Sequence, residues 1–397
     1  MSSTSAKPPF VAIACGGTGG HLFPGLAVAE KLQKRGCAVA LLISPKDVDQ
    51  QSVKSAHGME IFTLPAVGLQ NRNYFSFVRS FWQSWRASSN FFKQRKPDAV
   101  LAMGGFTSAP PILVAKDCGA KTFLHESNTI PGKANRFLSR FVDEAFVGFP
   151  EAASRLKTRK VTTTGTPVRP QFVVGRDSVE PKMKECRIAL RLDPNRPTIL
   201  VMGGSQGASG LNDMVLSALP LLAGKKWQWL HLTGANDVEK VKAAYAVHGQ
   251  AAVVKPFLAE MDLALGAATV SVSRSGASSL AEIAAMRLPS LLVPYPTAAD
   301  NHQFINARAF EKSGAAKLLE QKNSTPEKVA RLLCELVEDS RTRAKMQTAL
   351  AQWHAPAAAE QIADTILAAI TQQRAVEAAR KPLCNCGHAH GSAKHAH

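Results

Sequence analysis

The sequence lacks the features of membrane-spanning and secreted proteins. No apolar run in its 397 residues approaches the roughly 18 to 20 that span a bilayer. The first ten residues carry one lysine and no apolar segment typical of a secretory signal. We therefore expect a cytoplasmic protein. At this length, and with 45% apolar residues, the chain can build two domains with separate cores.

The cysteines show no disulfide framework. Five of the seven are scattered, as expected for reduced thiols in the cytoplasm. The other two, Cys384 and Cys386, lie in a low-complexity tail that also contains four histidines, His388, His390, His395 and His397. Such a tail could bind a soft or borderline metal, but the composition favours a disordered segment. We therefore predict a disordered tail at residues 380–397.

Acidic residues are scarce relative to basic ones. There are 30 acidic and 48 basic side chains, a formal net charge of +18. A basic surface attracts nucleic acid, anionic lipid or phosphorylated ligands. The sequence has no zinc-finger spacing and no aromatic–basic RNA motif, so we do not expect a nucleic-acid partner. An Asp-x-Asp pair can hold a divalent metal ion. The one such pair here, Asp47 and Asp49, lies away from the glycine turns of the second half, and we therefore expect neither a metal nor a cofactor.

One pattern occurs twice. A buried-type strand (11–15), a glycine turn (16–20) and a helix pattern are repeated as a strand (198–202), a glycine turn (203–207) and another helix pattern. This is the opening unit of a parallel α/β domain. Further strand candidates, mostly separated by helix-length segments, support two parallel sheets; they are 38–43, 99–103, 121–125, 144–149, 228–233, 270–273 and 290–294. Residues 165–197, rich in proline and charge, are interpreted as a linker.

The first glycine turn does not match a dinucleotide-binding fingerprint. Leu22 replaces its third glycine, and no acidic residue closes the next strand, so a nicotinamide enzyme is disfavoured. His21 lies at the carboxyl end of the first strand. There an imidazole can serve as a catalytic base or cap the helix, and position alone does not decide between them.

The second half contains candidate anion and sugar sites. The turn at 203–207 could hold a diphosphate through amides and Ser205, and the turn at 273–277 precedes a helix whose amino end favours anions. Arg274 could add charge there. Glu282, within this helix, could bind the hydroxyls of a ribose, although its position alone favours a solvent-facing carboxylate. The loop 294–303 suits sugar hydroxyls.

Taken in order, these motifs resemble the MurG family of GT-B glycosyltransferases over about residues 10–370. The resemblance is carried by segments 16–27, 104–108, 125–132, 166–169, 203–208, 273–283 and 300–303. Phe106 stands where relatives often have tyrosine, and Thr166 replaces the usual asparagine. The resemblance implies an α/β protein with two Rossmann-like domains facing across a cleft: 9–169 on the acceptor and membrane side, 170–355 binding the UDP-sugar, and a helix at 356–379 packing back on the first domain.

The resemblance also implies an activity. N-acetylglucosamine would pass from UDP-N-acetylglucosamine to the 4-hydroxyl of lipid I, an undecaprenyl-pyrophosphate-linked muramoyl-peptide, with inversion. This step forms lipid II for peptidoglycan synthesis, and hence serves cell shape and division, at the cytoplasmic face of the plasma membrane. His21 would be the base. Substrate contacts would come from Thr18, Gly19, Gly20, Asn128, Arg169, Ser205, Gln206, Phe257, Leu258, Met261, Ser275, Gly276, Ala277, Glu282, His302 and Gln303. Alternatives are a diacylglycerol glycosyltransferase, a sugar-nucleotide epimerase and a non-catalytic membrane-surface binding protein.

A basic, aromatic-rich segment at 71–96 suggests how the chain reaches a lipid. It has no acidic residue. Helical spacing places Arg79, Arg86 and Lys93 on one stripe. The aromatic residues Phe77, Phe81, Trp85 and Phe92 fall on roughly the opposite side. We predict a buried aromatic face and a basic face against an anionic membrane surface, with Tyr74, Phe75 and Trp82 as insertion points.

Overall fold

The computed structural model describes residues 7–17, 19–46, 50, 58–65, 74–172, 179–204 and 207–380. The strands of the first sheet are β1 Phe10–Ala14, β2 Ala38–Ile43, β3 Glu60–Thr63, β4 Ala99–Ala102, β5 Lys121–Glu126, β6 Glu144–Val147 and β7 Val161–Thr163. Those of the second sheet are β8 Thr198–Met202, β9 Gln228–Leu232, β10 Ala251–Lys255, β11 Val270–Ser273, β12 Ser290–Leu292 and β13 Lys317–Leu318.

Helices cover both sheets. They are α1 Gly19–Lys34, α2 Tyr74–Gln94, α3 Ala109–Asp117, α4 Lys133–Leu138, α5 Val179–Ala189, α6 Ser209–Ala218, α7 Val238–Val247, α8 Met261–Ala267, α9 Ala277–Ala285, α10 His302–Lys312, α11 Pro326–Glu338, α12 Ser340–Trp353 and α13 Ala358–Arg380. Among the residues described, no helix is long and apolar enough to cross a bilayer.

Both sheets are parallel and share one strand order. The first runs β3-β2-β1-β4-β5-β6-β7 and the second β10-β9-β8-β11-β12-β13. The central strands β1 and β8 are continuous apolar runs buried at every residue, as expected where helices cover both faces. The direction of winding reverses between β1 and β4 and between β8 and β11, so a crevice opens at the carboxyl ends of these strands. The predicted α/β class with two parallel sheets is confirmed.

Four strands, β3, β7, β10 and β13, were not predicted from the sequence. These are the edge strands of the two sheets. They are short and mostly exposed or half-buried, so they lack the continuous apolar run that marks the inner strands. The predicted linker at 165–197 is also wrong in part, because it contains a 3₁₀ turn at 170–172 and helix α5. The domain boundaries given above stay a prediction.

The last helix lies on the first sheet. Ile362, Ile366 and Ile370 of α13 are buried in a core cluster shared with α1 and β1. Arg374 near its end forms an ion pair with Asp98, with 2.9 Å between Nη2 and Oδ1. The chain therefore returns from the second sheet to the first.

Helix α2 only partly matches the predicted division of faces. Its buried side includes Ser80, Ser84, Ser88, Phe91 and Phe92, whereas Phe77, Phe81 and Trp85 are half-buried. The exposed side carries Arg79, Arg86 and Lys93 as predicted, but also Phe75, Val78 and Trp82. The helix packs against α3, and its buried side combines small serines with the two phenylalanines. The exposed face is therefore mixed, with apolar and basic side chains interleaved.

Candidate functional site

The two glycine turns of the first sheet form one wall at its carboxyl edge. Thr107 Oγ1 donates to the carbonyl oxygen of Gly16 at 2.7 Å, and Ser108 Oγ donates to that of Gly104 at 2.6 Å. A side chain at position 16 would not fit, because its Cβ would lie 2.3 Å from the amide nitrogen of Ser44. The Thr107 hydrogen bond therefore joins the turns after β1 and β4, and close backbone packing places Gly16 against the end of β2.

His21 lies against this wall in the first turn of α1. A Cβ added at Gly104 would come within 2.9 Å of His21 Nε2, and one at Gly105 within 3.2 Å of ring atoms Cε1 and Nδ1. Both glycines also have positive φ angles, +110° and +79°, which L side chains rarely adopt. Glycine at both positions therefore makes room for a half-buried imidazole and limits its orientation. Gly19 and Gly20 open the same helix; Thr18 lies outside the described residues.

A second histidine, His125, differs from His21 in its surroundings. It is fully buried at the end of β5, and its Nε2 donates to the carbonyl oxygen of Gly165 at 3.0 Å. Burial lowers the pKa of His125 to about 4, so the ring is neutral at physiological pH. The neighbouring Asn128 is held at both ends of its amide, donating to Glu126 and accepting from Asn306.

On the second sheet, the turn after β11 opens α9. Gly276 is the N-cap of this helix, preceded by Ser275 and followed by Ala277. The amino end of the helix carries a partial positive charge that favours anions. Gln303 ties this turn to the next loop, because its Oε1 accepts from the amides of Ser275 at 3.3 Å and Tyr295 at 3.0 Å. Ser205 and Gln206 lie outside the described residues.

Glu282 is not solvent-facing, as its position alone had suggested. Its carboxylate lies opposite Arg169, with 3.8 Å between Oε1 and Nη2, too long for a hydrogen bond. Burial raises the pKa of Glu282 to about 7, although the Arg169 charge opposes this. Among the described residues, Arg169 Nε and Nη2 have no hydrogen-bond partner, and the guanidinium stacks 4.3 Å from the Phe23 ring centroid. Buried polar groups left unsatisfied in this way suit a polar ligand.

The remaining predicted contacts lie just before α8 and at the starts of α8 and α10. Phe257 is half exposed, Leu258 is buried in the second core, and Met261 opens α8. The charge of Asp262, which follows Met261, adds to the effect of burial in raising the pKa of Glu282. His302 opens α10, and its Nδ1 donates to the carbonyl oxygen of Ala299 at 2.7 Å.

Arg274 does not have the role that its sequence position suggests, which is to add charge to the anion site. It is buried, and it donates to the carbonyl oxygens of Val293 and Pro294 and to Gln321 Oε1. The guanidinium therefore supports the loop after β12 instead of adding charge to an anion site. Within the described part of the chain, no group of three or more His, Cys, Asp or Glu is arranged to hold a metal ion.

The two halves of the site touch each other. Ser278 Oγ in α9 donates to the carbonyl oxygen of Gly20 in α1 at 2.9 Å. Arg136 of α4 pairs with Asp300 before α10 at 2.6 Å. These contacts were not predicted from the sequence, nor was the burial of Glu126 and Asn306. Helical spacing could have indicated only that Asn306 shares a face of α10 with Gln303.

Comparison with known proteins identifies the family. The glycosyltransferase family 28 N-terminal domain matches residues 11–147, and the family 28 C-terminal domain matches residues 198–362. A protein of Anaeromyxobacter sp. (strain K) is 37% identical over 366 residues, covering 89% of this chain and 91% of its own. A protein of Mesorhizobium japonicum is 34% identical, covering 94% and 98%. Both are named UDP-N-acetylglucosamine–N-acetylmuramyl-(pentapeptide) pyrophosphoryl-undecaprenol N-acetylglucosamine transferase.

Solved structures agree with this assignment. The crystal structure of Acinetobacter baumannii MurG superposes with a TM-score of 0.71 at 27% identity, covering 91% of this chain and 99% of that one. A UDP-N-acetylglucosamine 2-epimerase superposes with a TM-score of 0.68 at 15% identity, which shows a shared fold only. With two family models matched across most of its length, the chain belongs to glycosyltransferase family 28 and has the GT-B fold.

Proposed function

We propose that this chain transfers N-acetylglucosamine from UDP-N-acetylglucosamine to the 4-hydroxyl of the muramoyl-peptide of lipid I, with inversion, to form lipid II. The observation that carries the proposal is the apposition of a positioned imidazole, His21, with a helix amino end and a buried carboxylate, Glu282, on the facing sheet. The contact between Ser278 and Gly20 joins the two sides directly. The names of the relatives support the proposed donor, the transferred sugar and the undecaprenyl-pyrophosphate-linked muramyl-pentapeptide acceptor.

The donor would bind on the second sheet. The Glu282 carboxylate would accept hydrogen bonds from both ribose hydroxyls, while Arg169 would donate to the uracil side. The turn at Ser275, Gly276 and Ala277 would meet the diphosphate, as would Ser205 and Gln206. The helix amino end stabilises the negative charge that grows on UDP as it leaves. Phe257, Leu258 and Met261 would surround the uracil, and His302 and Gln303 the sugar.

The acceptor would enter from the first sheet. His21 would take the proton of the 4-hydroxyl while that oxygen attacks the anomeric carbon, with Gly19, Gly20, Thr18 and Asn128 lining this side. The bond from the anomeric carbon to the phosphate oxygen breaks in the same displacement, and UDP leaves with the bonding electrons. One displacement inverts the anomeric centre and yields a β-1,4 linkage. His125 is unsuited to this role because it is buried and hydrogen-bonded.

The mixed face of α2 would bring the enzyme to its lipid acceptor. Phe75 is 83% exposed and Trp82 is 62% exposed, on the same side as Arg79, Arg86 and Lys93. Aromatic side chains at the interface, with basic side chains against anionic headgroups, are the usual composition of a peripheral membrane helix. We infer that this helix docks on the cytoplasmic face of the plasma membrane.

The test is an acceptor panel with labelled UDP-N-acetylglucosamine. Label should pass to lipid I, and not to diacylglycerol. Transfer to diacylglycerol would indicate a different lipid glycosyltransferase. Conversion of the nucleotide sugar without an acceptor would indicate an epimerase, and UDP binding without either reaction would indicate a non-catalytic binding protein.

A further inference from the structure

Glu126, the last residue of β5, is a buried carboxylate with no vacant position on either oxygen. Its Oε1 accepts from the backbone amide of Asn128 at 2.8 Å and from Asn128 Nδ2 at 3.1 Å. Its Oε2 accepts from the backbone amide of Gly132 at 2.9 Å and from Asn135 Nδ2 at 2.9 Å. All four donors belong to residues 128–135, so this carboxylate shapes the loop on the acceptor side of the cleft.

The same network crosses to the second sheet. Because Asn128 Nδ2 faces Glu126, its Oδ1 is turned to accept from Asn306 Nδ2 at 3.0 Å. Asn306 is fully buried in α10, and its Nδ2 also donates to the carbonyl oxygen of Ser275 at 3.3 Å. Its Oδ1 accepts from the amide and the hydroxyl of Thr129 at 3.0 and 2.8 Å. The amide of Asn306 therefore uses its full capacity of two donors and two acceptors.

We propose that Glu126, Asn128 and Asn306 form a hydrogen-bond relay that couples the acceptor-side loop to the donor-side turn at Ser275. Glu126 is then a positioning residue and takes no proton during transfer. The proposal rests on the transferase function proposed above and adds the means by which the two substrate sites are held in register. A buried amide network of this kind has one allowed orientation, because reversing any member would place two donors or two acceptors face to face.

Near-isosteric substitutions break the relay without leaving a cavity. In Glu126→Gln the new amide group must face either the backbone N–H of Asn128 or that of Gly132, whichever way it rotates. In Asn306→Asp a carboxylate oxygen must face Asn128 Oδ1 and the carbonyl oxygen of Ser275. Asn128 cannot turn to relieve this contact, since its Oδ1 would then meet Glu126.

A matched control is available at the opposite edge of the same sheet. Glu144, at the amino end of β6, is also buried, and it accepts from Thr162 Oγ1 at 2.8 Å and pairs with Lys160 at 2.7 Å. Glu144→Gln removes a buried carboxylate remote from the cleft and should leave transfer kinetics as in the parent.

The experiment measures kcat/KM for the lipid acceptor across pH in the parent, Glu126→Gln, Asn306→Asp, the double variant and Glu144→Gln. Each relay variant should lose about ten- to hundred-fold, because a buried polar group is left unpaired. The double variant should lose no more than the more severe of the two single variants, since both break one network. In Glu126→Gln, which adds no titratable group, the apparent pKa values of the pH–rate profile should stay unchanged.

Three results would overturn the proposal. If the losses in kcat/KM multiply in the double variant, the two residues act independently. If kcat/KM of the single variants stays within two-fold of the parent, the relay is not used. If Glu126→Gln loses one limb of the pH–rate profile, Glu126 is a proton acceptor. An inactive parent would refute the proposed function instead. In that case backbone amide hydrogen exchange tests the relay without an activity assay. Asn306→Asp should accelerate exchange in the 126–135 segment, and unchanged exchange there would refute the relay itself.

Discussion

Replacing Glu282 by glutamine separates the cost of burying this carboxylate from its use in binding a donor. Burial raises the pKa of Glu282 from 4.5 to about 7 in the folded protein. The folded state therefore holds a proton that the unfolded chain releases between these two values, and stability falls as pH rises through this range. Above both values the penalty approaches about 3 kcal/mol.

Glutamine is neutral at every pH and escapes this penalty. The cost of fitting the new amide is the same at pH 5 and pH 8. The informative quantity is therefore how the difference in free energy of unfolding between the variant and the parent changes from pH 5 to pH 8. The free energy of unfolding of Glu282→Gln should rise relative to the parent by about 2 kcal/mol between pH 5 and pH 8. Denaturant titration of both proteins at the two pH values measures it.

Binding should change in the opposite sense. At pH 8 the parent carboxylate is ionised and can accept charged hydrogen bonds from two ribose hydroxyls. Glu282→Gln should then weaken UDP by about ten- to hundred-fold in calorimetry, and the parent's own affinity should fall as pH drops below 7. A stability difference independent of pH would refute the raised pKa of Glu282. Unchanged UDP affinity would refute its contact with the ribose.

Three further predictions test other parts of the site. His21→Ala should lower turnover about 10²- to 10⁴-fold with unchanged UDP affinity, and a loss of only a few-fold would exclude His21 as the base. Replacing Arg79, Arg86 and Lys93 together by glutamine should cost up to about 3 kcal/mol of binding to anionic vesicles at low salt, with little change in melting temperature or in transfer to a short-chain soluble acceptor. If this variant and the parent co-sediment equally with the vesicles, the membrane contact lies elsewhere on the protein. Deleting residues 381–397 should leave transfer activity intact. A large loss of activity on deletion, together with zinc-dependent activity of the full-length protein, would contradict this.

The inner strands and glycine turns were predictable because their signals are local. A continuous apolar run followed by glycines marks β1 and β8, and their burial along the whole strand agrees with it. The edge strands lack this signal because half of their surroundings is solvent. Local pattern therefore located both crevices but understated the width of both sheets.

The environment of individual site residues depends on contacts that no local pattern contains. The position of Glu282 in the sequence predicts a solvent-facing carboxylate, but in the fold Arg169, more than a hundred positions earlier, lies opposite it. Asn128 and Asn306 are 178 positions apart, and each orients the amide of the other. Arg274 illustrates the reverse error, since its position beside a glycine turn suggested an anion ligand and its guanidinium supports backbone carbonyls instead.

Proton NMR of a reaction containing the protein, UDP-N-acetylglucosamine and a short-chain lipid I analogue would identify the bond that the enzyme forms. We expect one product with a β-1,4 linkage between N-acetylglucosamine and the muramoyl residue, formed together with one equivalent of UDP. An α linkage, attachment at another hydroxyl, or conversion of the nucleotide sugar without transfer would contradict it.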